Sequence, residues 1–209
     1  MPEISPASSS ASSVYTRAQL VAWRNGIFAA FAVGGLGLAS WMARTPAVKD
    51  ALEATTAQMG VLILGPAVGS IFGLTLSSHL ISRFGIKRVL LVCLIVTPVG
   101  IAVAGVTLTL FASFWLVVLG LFIFGLAFGA CDVSMNLSGA INERHLGRTI
   151  MPLFHAFFSI GTILGAGACA ASELLHISIA TQSLIVAAIM LIVGVIGALA
   201  TQSETVPPV

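Results

Sequence analysis

The sequence predicts an all-α membrane protein of six transmembrane helices, arranged as two three-helix repeats. Three observations predict it. Only 16 of 209 residues are charged (9 Lys+Arg, 7 Asp+Glu), or 8%, against about 25% in an ordinary soluble domain. Hydrophobic residues make up 58% of the chain and the mean hydropathy is +1.09, which excludes a water-soluble globule. The charges are also clustered, leaving uncharged stretches at 25 to 43, 54 to 82, 89 to 131, 149 to 172 and 174 to 203. Each is near or above the roughly 20 apolar residues that cross a bilayer as a helix. The ten-residue alternation of barrel strands is absent, and helices satisfy every backbone polar group in lipid. A net charge of +2 gives no basic face for nucleic acid.

The first span is expected over 23 to 43, after a Ser-, Ala- and Pro-rich stretch that reads as a disordered tail over 1 to 22. Arg17 and Arg24 ahead of an apolar run imitate a secretory signal peptide, but the run is too long and no A-x-A site follows. Pro46 to Ala54 then forms a short surface helix, with Pro46 in its first turn. Thr55 to Gln58 is a capping box that opens the second span, 59 to 80. The stretch from Val89 to Cys131 would run about 64 Å as one helix, twice the hydrocarbon thickness, so it must fold back. The turn is placed at Ala112-Ser113, just before Trp115, whose ring favours the headgroup level. The third and fourth spans are therefore 89 to 111 and 115 to 141. The fifth and sixth cover 150 to 171 and 179 to 200, followed by a tail over 201 to 209.

Lys and Arg set the orientation. Arg17, Arg24, Arg83, Lys87, Arg88, Arg144 and Arg148 fall on one side, Arg44 and Lys49 on the other. The imbalance puts both termini in the cytoplasm, with the chain in the inner membrane. Cys93, Cys131 and Cys169 lie inside spans without metal-ligand spacing and read as small apolar packing residues. No metal and no cofactor is expected.

Gly65, Gly69 and Gly73 in the second span, and Gly161 and Gly165 in the fifth, make smooth helix faces where another backbone can approach. A shift of 96 residues superposes Gly65 on Gly161 and Gly69 on Gly165, as two related three-helix units would require; two unrelated small-residue seams are the alternative. Pro66 and Pro98 lie inside spans and imply bends. Spans three and six carry no charge and suit lipid-facing outer positions.

Asp132 is the one acid deep inside a span. An ionisable group there costs about 2.5 to 3.5 kcal/mol on insertion scales, so it should face a cavity or a partner. Asn136 follows at i+4, with Gly125 and Gly129 on the preceding turns of the same stripe. On the fifth span His155, Ser159 and Thr162 make a second polar stripe. Counted from the span ends, Asn136 and His155 lie at one depth, and Asp132 and Ser159 one turn deeper, so the stripes can meet. A carboxyl group and an imidazole at matching depth can take up and release a proton; a satisfied interhelical hydrogen-bond cluster is the structural alternative. Trp41 is either a substrate platform or an interfacial anchor, and Arg44 a solvated helix end.

Ser78-His-Leu-Ile-Ser-Arg-Phe-Gly-Ile-Lys-Arg88 resembles the loop signature of the major facilitator superfamily (MFS) through Leu80, Arg83, Gly85, Lys87 and Arg88. Ser78 stands where the family has glycine and Ser82 where it has aspartate, so the charge relay of that acid does not carry over. Gly129-Ala-Cys-Asp-Val-Ser-Met-Asn136 and Phe154-His-Ala-Phe-Phe-Ser-Ile-Gly161 look like the fourth and fifth helices of the fucose-permease-like branch. The starts at Arg24-Asn25 and Ala39 to Pro46 resemble its bacterial members. The resemblance implies proton coupling at Asp132 and a loop gate at Arg83, Gly85, Lys87 and Arg88. Sugar-transporting relatives also carry an acid in the first helix; this chain has none, which argues against sugar.

Such transporters have twelve helices in two halves with the solute site between them. The chain therefore looks like the amino-terminal half. The expected function is a secondary transporter unit moving a small organic solute by alternating access, with a second six-helix half supplied by a second copy or a separate chain. A truncated, non-transporting half or assembly partner is the first rival. An intramembrane serine hydrolase using Ser138 and His155 is the second, although Asn136-Leu-Ser-Gly139 lacks the leading glycine of that motif.

Overall fold

A computed structural model describes residues 15 to 203. Within them the chain forms six long helices and one short one: α1 (Arg17–Ala43), α2 (Thr45–Ala51), α3 (Thr56–Phe84), α4 (Ile86–Phe111), α5 (Phe114–Leu146), α6 (Met151–Leu174) and α7 (Ile179–Ala200). All but α2 are long and apolar enough to cross a membrane.

Caps, more than hydrophobicity, fix the helix ends. Thr16 accepts from the Gln19 amide while the Gln19 side chain accepts from the Thr16 amide, so α1 begins at Arg17. Residues 17 to 22, assigned by composition to a disordered tail, thus belong to the first helix. The tail assignments over 1 to 14 and 204 to 209 lie outside the described residues. The same reciprocal box at Thr55 and Gln58 starts α3 as expected. The short outer helix ends at Ala51, earlier than expected, because Glu53 turns into the left-handed region (φ 48°). Gly85, at φ 81°, separates α3 from α4, and Ala112, at φ 44°, makes the expected reversal between α4 and α5. Both α3 and α5 outrun their apolar stretches, α5 reaching Leu146 before Gly147 caps it at φ 63°.

The long helices pack in two layers. A front row runs α3, α5, α1, α6 by neighbouring contacts, and α4 and α7 lie side by side behind α5 and α1. Exchanging α1, α3, α4 with α5, α6, α7 maps the α3–α5 contact onto α6–α1 and α4–α5 onto α7–α1. The glycine seams obey the same exchange. A Cβ at Gly69 or Gly73 would overlap the Phe122 or Leu126 carbonyl oxygen of α5; one at Gly161 or Gly165 would overlap that of Ala32 or Leu36 in α1. Gly65 extends the first seam, with the Val118 carbonyl 3.4 Å from a Cβ placed there.

One core, around Trp23, Ile27, Phe31, Leu90, Phe154 and Met190, spans the two layers. A second, around Trp41, Val48, Leu62, Leu108, Val117 and Leu121, seals the end that carries α2. That end is the far face; the opposite one, where α3 ends and α4 begins, carries Arg83, Lys87 and Arg88 and is the basic face. The central apolar stretch of α4 is 56% buried but those of α3 and α6 only 22%. This modifies the expectation for the uncharged spans: α4 packs deeply, because Gly100 lies against the Phe124 backbone and Gly105 against Ser183. The barest apolar surface belongs to α3, with Leu64 and Ile71, and to α6, with Ile163 and Leu164. All three cysteines are buried and free.

Candidate functional site

Asp132 and Asn136 stand one turn apart on α5, both half-buried. The Asn136 amide donates to the Asp132 carboxylate (3.2 Å) and to the Asp132 main-chain carbonyl (2.8 Å). The i, i+4 spacing places the amide beside the acid without help from another helix. α5 itself has α3 and α1 on its flanks and α4 behind it. The narrow end of the same stripe is tightly packed: Cβ atoms at Gly125 and Gly129 would overlap the Pro66 and Ser70 carbonyls of α3.

His155 lies on α6, exposed, with its ring edge-on to Phe31 of α1 at 5.2 Å between centroids. It is an electrostatic neighbour of Asp132, but no hydrogen bond joins the two among the described residues. The two stripes therefore face each other across α1 without touching. Ser159 donates to the His155 carbonyl (3.2 Å) and Thr162 to the Ser159 carbonyl (2.7 Å). Those hydroxyls donate within α6.

Aromatic rings of α1, α5 and α6 pack together beside these stripes, a feature that reading polar residues alone passed over. Phe28 stacks on Phe157 (4.3 Å), Phe31 on Phe154 (5.7 Å), and Phe128 approaches Phe158 (6.5 Å). Gly34 makes room for the last pair, since a Cβ there would come within 3.2 Å of Phe128. The signal in the sequence was the Phe154-His-Ala-Phe-Phe158 cluster.

Trp41 does not join this site. It is 7% exposed and packs with Val117 and Leu121, so Asp132 lies eleven residues further along α5, about 16 Å. The void beside it measures about 10 Å³, far below the roughly 300 Å³ of a ligand pocket. Trp41 is neither a platform nor an interfacial anchor but a plug under α2. Arg44 likewise departs from expectation. Instead of being solvated it is 6% exposed, paired with Glu173 at 3.3 Å and donating to the Ile177 carbonyl, so that it ties α1 to the α6–α7 turn.

At the basic face, Trp23 Nε1 donates to Ser138 Oγ (2.8 Å) and the Asn142 amide to the Leu20 carbonyl (3.1 Å), clasping α1 to α5. Ser138 is thus buried and occupied by Trp23, with no hydrogen bond to His155, which removes the geometric basis of the hydrolase alternative. Glu143 accepts from the Ile150 and Met151 amides and caps α6. Of the loop residues, Gly85 forms the corner, Arg83 lies over the Phe84 ring (5.6 Å), and Lys87 donates to the Leu199 and Thr201 carbonyls at the end of α7. Arg88 is exposed beside α3.

Fold and site together define a multi-pass membrane protein with an acid half-buried midway along a membrane-spanning helix. Over 150 residues, 72% of its length, the chain is 35% identical to y4wD, an uncharacterised transporter of Sinorhizobium fredii, and covers 38% of that protein. It is 32% identical over 164 residues to an uncharacterised MFS-type transporter of Yersinia pestis, 78% of this chain and 41% of the relative. A 31% match over 138 residues reaches the membrane protein MosC of Rhizobium meliloti, 65% of this chain and 32% of that one. No family model matches the chain. The crystal structure of the nucleoside transporter NupG superposes on 88% of this chain and 44% of its own, with a TM-score of 0.69 at 16% identity, which shows the fold. The chain is homologous to MFS-type transporters and spans between 32% and 41% of the length of the curated relatives it matches.

Proposed function

We propose that this chain is one six-helix unit of a secondary transporter that moves a small organic solute by alternating access, coupled to protons at Asp132. The observation that carries the reading is the half-buried Asp132 on a membrane-spanning helix, hydrogen-bonded to Asn136 and electrostatically beside His155 of α6. Its hydrogen-bond partner is Asn136 of its own helix and it has no ion pair among the described residues, so we take the rest of its surface to face whatever covers the front. His155 on α6 supplies a second proton-binding group, and Asn136, Ser159 and Thr162 line the solute side.

A second six-helix unit covers that front. The bareness of α3 and α6, the two ends of the front row, supports this, as does the share of the relatives' length that the chain spans. The i, i+4 acid–amide pair supports the fucose-permease-like branch, and the cations of the basic face support cytoplasmic termini in an inner membrane. Arg83, Gly85, Lys87 and Arg88 serve as the loop that gates the cytoplasmic side, with Lys87 anchoring it to α7.

The test is cross-linking of single-cysteine variants at Ile71 and Ile163, exposed positions on the two bare helices. Cross-links to a second copy or to a second chain in native membranes support the reading. No cross-link at either position in native membranes contradicts it.

A further inference from the structure

Consecutive helices α3 and α4 hardly touch each other, because each is packed instead on α5, and they leave a groove of about 390 Å³ at the basic face. Leu80 and Phe84 of α3 form one wall, and Val89, Leu91, Val92 and Cys93 of α4 the other, with Arg88 at the mouth. The groove is apolar throughout its depth and runs along two membrane-spanning helices, so its natural filling is an acyl chain.

The mouth is different in character. Between residues 54 and 131 the charged residues are Arg83, Lys87 and Arg88, and no acid accompanies them. Lys87 is occupied by the α7 carbonyls. Arg83 rests over the Phe84 ring, and Arg88 is exposed without a hydrogen bond or ion pair among the described residues. Two guanidinium groups without an ion pair among the described residues therefore stand at the basic end, above a slot shaped for a chain. Cations near such a surface attract anionic lipid, and a guanidinium suits a phosphate because it can donate two parallel hydrogen bonds.

We propose that the α3–α4 groove is a binding site for an anionic phospholipid, its acyl chain between Phe84 and Val92 and its phosphate held by Arg88 with Arg83. This site is separate from the Asp132 face and does not rest on the transport reading.

Native mass measurement of the full chain in detergent tests it, with phosphatidylglycerol and phosphatidylcholine of matched chains supplied in turn. The expected result is several-fold greater retention of phosphatidylglycerol. Arg83→Gln with Arg88→Gln should reduce that retention to the phosphatidylcholine level. Val92→Trp, at an exposed position, fills the slot without changing charge and should also lower phosphatidylglycerol retention. Equal retention of the two lipids by the unaltered chain overturns the proposal, as does a preference that survives both variants. Soluble glycerol phosphate, which lacks the chain, should not displace the lipid; full displacement would mark a free-phosphate site and contradict the assignment.

Discussion

Trp23 Nε1 reaches across from α1 to donate to Ser138 Oγ of α5 at 2.8 Å, with both residues almost wholly buried. The bond joins the two central helices of the front row at the basic face, on the same side chain that a hydrolase would need as its nucleophile. Trp23→Phe keeps most of the ring and removes the donor; Ser138→Ala removes the acceptor. Each should lower stability by about 1 kcal/mol, as interhelical hydrogen bonds in membranes do. The double variant should lose less than the two losses added, measured by thermal unfolding in detergent. Strict additivity would mean the bond contributes nothing of its own.

The glycine seams make a second prediction. Gly73→Ala puts a methyl group into the Leu126 carbonyl, and Gly161→Ala puts one into the Ala32 carbonyl, so each helix must move off its neighbour. Overpacking of this kind costs about 1 to 3 kcal/mol. Gly167→Ala is the control, since a Cβ there meets nothing within 4 Å. Its melting temperature should stay unchanged or rise slightly, because alanine is the better helix former.

Arg44 and Glu173 supply the third. Glu173→Ala leaves a buried guanidinium with the Ile177 carbonyl as its remaining partner, while Arg44→Met removes the charge and keeps the packing. Because Glu173 is 52% exposed, solvent screens the pair, and the expected loss for Glu173→Ala is about 1 kcal/mol. Adding Arg44→Met should restore most of that loss. A larger loss in the double variant than in Glu173→Ala would show that the arginine contributes more than its pairing.

These residues also show what was legible beforehand. The capping box at Thr55, the reversal at Ala112 and the glycine spacings are local signals, and each emerged where local chemistry placed it. Asp132 and Asn136 were legible as a pair for the same reason, since a single helix brings them together. Relations between distant segments were not. Arg44 closes an apolar run and reads as a solvated end; its acid lies far along the chain at Glu173, and only packing of α1 on α6 brings the two together. Trp41 looked like a surface ring because the fold of α2 over it cannot be read from hydropathy. The start of α1 was missed because Thr16 and Gln19 are polar, and polar residues before a span look like tail.

The central claim is that Asp132 exchanges its proton with a water-accessible passage as solute moves. The direct measurement is solute-dependent proton movement, read by a pH-sensitive dye trapped in vesicles carrying the full assembly, for the unaltered protein and for Asp132→Asn. The account predicts that the variant loses proton movement while still exchanging solute between the two sides. Proton movement of unchanged size in Asp132→Asn would contradict it.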